Sequence, residues 1–149
     1  NRIFSTEGLS SVTGHSLGGA LATHAVSHLW KLGYKVDQFY SLGSPRVGDN
    51  LFQRWFNSVF QDRFKARITH HKDPVPHLPP SDWGFRHLTT EVFYNELNTS
   101  YKVCSSTNSE DPLCSNQYLI DGNILDHLTY FEIDYNKQSS AVPVRLMTC

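Results

Sequence analysis

One serine stands in a setting that can do chemistry. Gly14-His15-Ser16-Leu17-Gly18-Gly19 presents a hydroxyl between glycines. The residues before it, 9–13, read as a strand. Those after it read as a helix, with Leu21, Ala22, Ala25, Leu29 and Leu32 at three- and four-residue steps and Gly33 as its stop. A G-x-S-x-G sequence between strand and helix is a nucleophile elbow. The sharp turn projects the Ser16 hydroxyl clear of a sheet in strained backbone geometry. Gly14 and Gly18 leave room for the helix to cross close to the strand. Leu17 comes next, so its N–H lies at the helix start and can meet a developing oxyanion.

A serine nucleophile needs a base, and the base needs an orienting carboxylate. In an α/β-hydrolase the order along the chain is nucleophile, acid, histidine. Asp73 suits the acid, because it follows a strand and opens the stiff Asp73-Pro74-Val75-Pro76 loop, where a sheet presents functional groups. Asp49 is the main rival but is placed to cap a helix, and Asp62 reads as surface. His127, in Asp126-His127-Leu128-Thr129-Tyr130-Phe131, is the late histidine that suits the base. His15 is too near Ser16 in sequence for that task and reads as packing or hydrogen-bonding beneath the turn. His24 and His28 share a helix face at a spacing that can hold a metal. They lack the Glu of a His-Glu-x-x-His motif, so a solvated face is expected and no metal. His70, His71, His77 and His87 read as structural, with His87 the one suspected of supporting the site.

These residues need a sheet to hold them. Strands are expected at 9–13, 36–42 and 64–69, alternating with helices at the elbow and at 49–60. In the second helix Leu51, Phe52, Trp55, Phe56, Val59 and Phe60 make one broad apolar face. That order implies parallel pairing through crossover helices. Residues 73–80 hold four prolines and exclude a central strand or helix there. Residues 88–94 and 100–104 read as an antiparallel edge pair, and 105–117 as a polar loop. The chain has 149 residues, room for one domain, and its 13 Lys and Arg nearly balance its 14 Asp and Glu. That balance argues against a nucleic-acid footprint, and no apolar run is long enough for a transmembrane segment.

The elbow, Gly14-His15-Ser16-Leu17-Gly18-Gly19-Ala20-Leu21-Ala22, resembles the nucleophile region of the class 3, fungal-type triacylglycerol lipases. Gly43-Ser44-Pro45-Arg46-Val47-Gly48, the segment from Arg67 to Pro80 and the loop around His127 are also similar to that family. The resemblance spans nearly the whole chain and is weakest from about Glu91 to Leu119. It implies an α/β fold with a mostly parallel sheet, Ser16, Asp73 and His127 as a triad, Leu17 as one oxyanion donor and no cofactor. Members of the family carry an upstream half with the first strands, a lid helix and a second oxyanion donor. Both ends of the chain read as cut. The expectation is therefore a partial α/β-hydrolase fold, the C-terminal part of such a domain over 1–149, with its N-terminal half in cis or as a companion chain. The early strands, central in a whole sheet, would then leave an apolar edge exposed.

Cys104 and Cys114 flank a polar loop and suit a local disulfide. The resemblance implies that Cys149 pairs with a cysteine near a mature N-terminus. Three free thiols in a reducing compartment is the other reading. Asn98-Thr99-Ser100 is a glycosylation sequon. With the disulfide it points to a secreted protein. The expected substrate is a lipid or other carboxylic ester, with triacylglycerol first and feruloyl esters or phospholipids as alternatives among the same relatives. Trp83 and Phe85 would touch a lipid surface or pack against the upstream half. A catalytically inactive binding or structural remnant is the non-enzymatic alternative.

Overall fold

The computed structural model describes residues 2–6, 9–131 and 133–135. In chain order the elements are β1 (Arg2–Thr6), β2 (Leu9–His15), α1 (Leu17–Lys31), β3 (Gln38–Leu42), β4 (Gly48–Asp49), α2 (Asn50–Val59) and β5 (Phe64–His70). After them come β6 (Phe85–Arg86), β7 (Glu91–Tyr94), β8 (Tyr101–Val103), α3 (Ile124–His127), β9 (Thr129–Tyr130) and β10 (Ile133–Asp134). Six strands form one sheet in the order β1-β2-β3-β5-β7-β8. Its interior pairings, β2 with β3, β3 with β5 and β5 with β7, are parallel, and both outer pairings are antiparallel. This is the α/β architecture with a largely parallel sheet that the strand–helix alternation implies.

Both long helices pack on one face of the sheet. Val12 of β2 and Phe39 of β3 stand opposite each other in register and meet Ala22 and Val26 of α1 and Phe56 and Phe60 around the end of α2. The other face gathers Leu42, Ala66 and Ile68 under Tyr130. β3 feeds both clusters by alternation, with Phe39 on one side and Leu42 on the other.

The structure departs from the sequence reading at several points. Residues 2–6, not read as an element from sequence, pair with β2 as an antiparallel strand, so β1 and not β2 forms that end of the sheet. In α1 the buried residues are Gly19, Ala20, Ala22, Thr23 and Val26, whereas Leu21 and Leu32 are exposed. Small residues face the sheet because the helix crosses it closely: a Cβ on Gly19 would lie 2.7 Å from the Ser44 Cβ. In α2, Leu51 and Trp55 are also exposed, and only Phe56 and Phe60 of that apolar face are fully buried. The Asp49 side chain caps α2 by accepting from the Phe52 N–H at 2.8 Å. Cys104 and Cys114 are joined in a disulfide. Cys149 lies outside the described residues.

Candidate active site

Three strand ends and one short helix converge on Ser16. The residue closes β2 and opens α1 with φ 57° and ψ −132°, a conformation an L-residue adopts only under strain. Backbone crowding accounts for the glycines around it. A Cβ on Gly14 would lie 2.1 Å from the Gly18 carbonyl oxygen, so any side chain there would push the helix off the strand. The Ser16 N–H donates to the Leu42 carbonyl at 2.8 Å, which ties the elbow to β3. Leu17 is the first residue of α1, so its N–H has no acceptor within the helix.

The Ser16 hydroxyl lies 2.7 Å from Nε2 of His127. On the far side of the same ring, Nδ1 is 2.9 Å from Asp73 Oδ2 and 3.0 Å from Oδ1. With the Nδ1–H donating to the carboxylate, Nε2 is left as the acceptor for the serine proton. Asp73 and His127 are both buried. Asp73 Oδ1 also accepts from the Val75 N–H at 2.8 Å, an Asx turn built by the proline loop. Its Oδ2 accepts from the Tyr130 hydroxyl at 2.6 Å. Burial, and after it the Asp73 charge, drive the Tyr130 phenol well above its ordinary value, so it is a permanent donor. The arrangement can move a proton from a serine hydroxyl to a histidine whose tautomer is fixed by a buried carboxylate.

Residues 9–83 match the family described as lipase (class 3). The chain belongs to the class 3 lipases. It is 41% identical over 128 residues to a secreted mono- and diacylglycerol lipase 1 of Fusarium solani, an alignment covering 81% of this chain and 37% of that protein. The fold matches a lipase from Rhizopus microsporus var. chinensis with a TM-score of 0.75 at 35% identity, covering 86% of this chain and 45% of that one. A triacylglycerol lipase described as having a serine protease triad as its catalytic centre matches with a TM-score of 0.71 at 34% identity, over 83% of this chain and 48% of that one. The chain thus spans less than half the length of these lipases.

Other histidines and acids fall into place around the site. His15 Nε2 lies 2.8 Å from the His127 carbonyl, beneath the turn. His24 and His28 lie on the exposed side of α1, with the His24 ring against Phe52. His87 is buried and its Nε2 contacts the Pro76 carbonyl, one turn beyond the acid. Asp62 is exposed. Asn98 sits at φ 55° in the turn between β7 and β8, with its side-chain nitrogen 3.1 Å from His70 Nε2.

Tyr130, with Leu128 and Phe131, reads from sequence as an anchor for the His127 loop, and its hydroxyl in fact reaches the Asp73 carboxylate. One support was missed from sequence. Gly43, at φ 54°, is the floor beneath Asp73 and His127: a Cβ there would lie 2.7 Å from Asp73 Oδ2 and 3.1 Å from His127 Nδ1. Farther out, Arg46 clamps the acid loop. Its guanidinium donates to the His77 and Pro79 carbonyls at 2.6 and 2.9 Å and pairs with both oxygens of Glu110. Burial alone would raise the Glu110 carboxyl, but the Arg46 hydrogen bond and charge, together with His87, outweigh it and lower the value to about 2.

Proposed function

We propose that this chain carries the catalytic triad of a secreted serine ester hydrolase acting on acylglycerols, with triacylglycerol as the first substrate class. The observation that carries the reading is the unbroken hydrogen-bond chain from Ser16 through His127 to Asp73. In this mechanism His127 takes the Ser16 proton as Oγ attacks the ester carbonyl. Asp73 holds the tautomer and stabilises the imidazolium. The Leu17 N–H, at the positive end of α1, donates to the tetrahedral oxyanion. His127 then protonates the leaving alcohol, and water releases the acyl group by the reverse route.

Apolar exposure beside each triad member supports a lipid acyl chain. Leu17 next to the nucleophile is 66% exposed, Leu78 in the acid loop 53% and Leu125 beside the base 63%. Trp83, just past the prolines, is 71% exposed, whereas Phe85 is only half-exposed. The lipase and secreted descriptions of the relatives agree with this reading.

The test compares the chain with its Ser16→Ala variant on p-nitrophenyl butyrate, then on emulsified triacylglycerol, a feruloyl ester and phospholipid vesicles. Serine-dependent hydrolysis strongest on triacylglycerol supports the proposal. Preference for either of the other esters reassigns the substrate. Equal rates for the two proteins would favour an inactive remnant.

A further inference from the structure

We infer that His15 and His70 are positioning residues for His127, fixing the peptide groups on both sides of its α-carbon. The inference rests on the reading of His127 as the general base. That residue ends a helix of only four residues, Ile124–His127, whose Ile124 and Leu125 are 55% and 63% exposed. So short a helix, open to solvent on one side, cannot orient an imidazole by its own packing. The orientation has to come from outside it.

Two buried or partly buried rings supply it. His70, at the end of β5, is 2% exposed and brings Nδ1 to 2.8 Å from the Asp126 carbonyl oxygen. His15, at the end of β2, brings Nε2 to 2.8 Å from the His127 carbonyl oxygen. These carbonyls belong to the peptide groups immediately before and after the His127 α-carbon. Pinning both planes fixes the backbone torsions between them, and so the direction in which the imidazole leaves the chain.

Each ring is itself held. His15 stacks flat on Tyr135, with centroids 4.1 Å apart and planes 7° from parallel. It also lies against the His127 ring at 4.7 Å. Burial pushes His15 below its ordinary value, leaving one ring proton, which the carbonyl contact places on Nε2. The Nε2 of His70 sits 3.0 Å from the Glu96 carbonyl and 3.1 Å from the Asn98 side-chain nitrogen. Carbonyl oxygens, which can only accept, thus face both ring nitrogens of His70, and the ring bridges the Asp126 and Glu96 peptides. The Asp126 carboxylate adds a third anchor, accepting from His71 Nδ1 at 2.8 Å and from the Lys72 N–H at 3.0 Å.

The test uses the full 149-residue chain with paired substitutions: His15→Leu against His15→Gln, and His70→Leu against His70→Asn. The amide variants keep an N–H at the position of the ring donor, whereas the leucines remove it. Two readouts are followed: the low-field resonance of the proton between His127 Nδ1 and Asp73 in histidine-labelled protein, and kcat and KM on p-nitrophenyl butyrate. A displacement near 1 Å costs up to about a hundredfold in rate. The leucine variants are therefore expected to lose about tenfold to a hundredfold in kcat at unchanged KM, and to shift or broaden the resonance. The amide variants should recover most of both. Leucine variants with a wild-type resonance and kcat would overturn the inference, as would amide variants no better than leucine. If the parent chain shows no Ser16-dependent hydrolysis, the proposed function fails, while the resonance still decides whether the two rings position His127.

Discussion

Placing a single methyl group at Gly43 should separate backbone strain from damage to the triad. Gly43 has φ 54°, where an L-residue costs about 1–2 kcal/mol relative to glycine. A Cβ there would lie 2.7 Å from Asp73 Oδ2, 2.8 Å from the Tyr130 hydroxyl and 3.1 Å from His127 Nδ1, against an ordinary contact of 3.4–4 Å. Restoring that contact requires the acid to retreat by about 0.7 Å, the difference between 3.4 and 2.7 Å. Asp73 cannot do so freely, because the Val75 N–H, the Tyr130 hydroxyl and His127 all bond to it. The expected result for Gly43→Ala is a kcat on a soluble ester lower by about a hundredfold. The strain should lower Tm by roughly 2–8 °C. Gly33→Ala is the control, since Gly33 also has positive φ, 85°, but has nothing within 4 Å of its would-be Cβ. It should show a similar loss of Tm and no loss of kcat. Wild-type kcat in Gly43→Ala would refute the reasoning, because it would mean that the acid and base do not occupy these positions during turnover.

Other substitutions test the supports separately. Tyr130→Phe removes a buried donor to the Asp73 carboxylate, an interaction of about 1.5–3 kcal/mol, and should lower Tm and kcat together with KM unchanged, read by thermal melts and ester kinetics. The folded-state value of Glu110, about 2 against an ordinary 4.5, means that its stabilising pair is complete above pH 4.5 and is lost as pH falls towards 2. Acid titration of the melting temperature should therefore fall through that window, and Glu110→Gln should melt lower at neutral pH with a flatter acid limb. Reducing the Cys104–Cys114 disulfide, which spans 10 positions, should cost about 2–3 kcal/mol, measured by denaturant unfolding with and without reductant.

What could be read from the sequence follows the range over which each signal acts. The elbow was legible because Gly14, Ser16 and Gly18 sit within five residues of one another, flanked by a strand pattern and a helix pattern. Asp73 was legible because prolines stiffen the loop it opens. The buried face of α1 was misread because periodicity weighs large apolar residues. Close approach to the sheet instead selects Gly19, Ala22 and Thr23 and sends Leu21 outward. β1 was missed because Arg2–Thr6 is a five-residue segment with little room for a pattern, and its strand character comes from pairing with β2.

The supports of the triad were the least legible, for a physical reason. Tyr130 reaches Asp73 across 57 residues, His70 reaches the Asp126 carbonyl across 56, and His15 reaches the His127 carbonyl across 112. Each is a side chain whose partner is set only once the sheet has brought the ends of β2 and β5 beside α3. A local pattern can state that a histidine exists but not which carbonyl it meets. The result is an acid whose two oxygens are both engaged, by Val75 and His127 at Oδ1 and by Tyr130 and His127 at Oδ2. An acid held on every side leaves the imidazole no alternative carboxylate geometry. In the proposed mechanism the Ser16 hydroxyl, 2.7 Å from Nε2, is the group that hands its proton to this held imidazole.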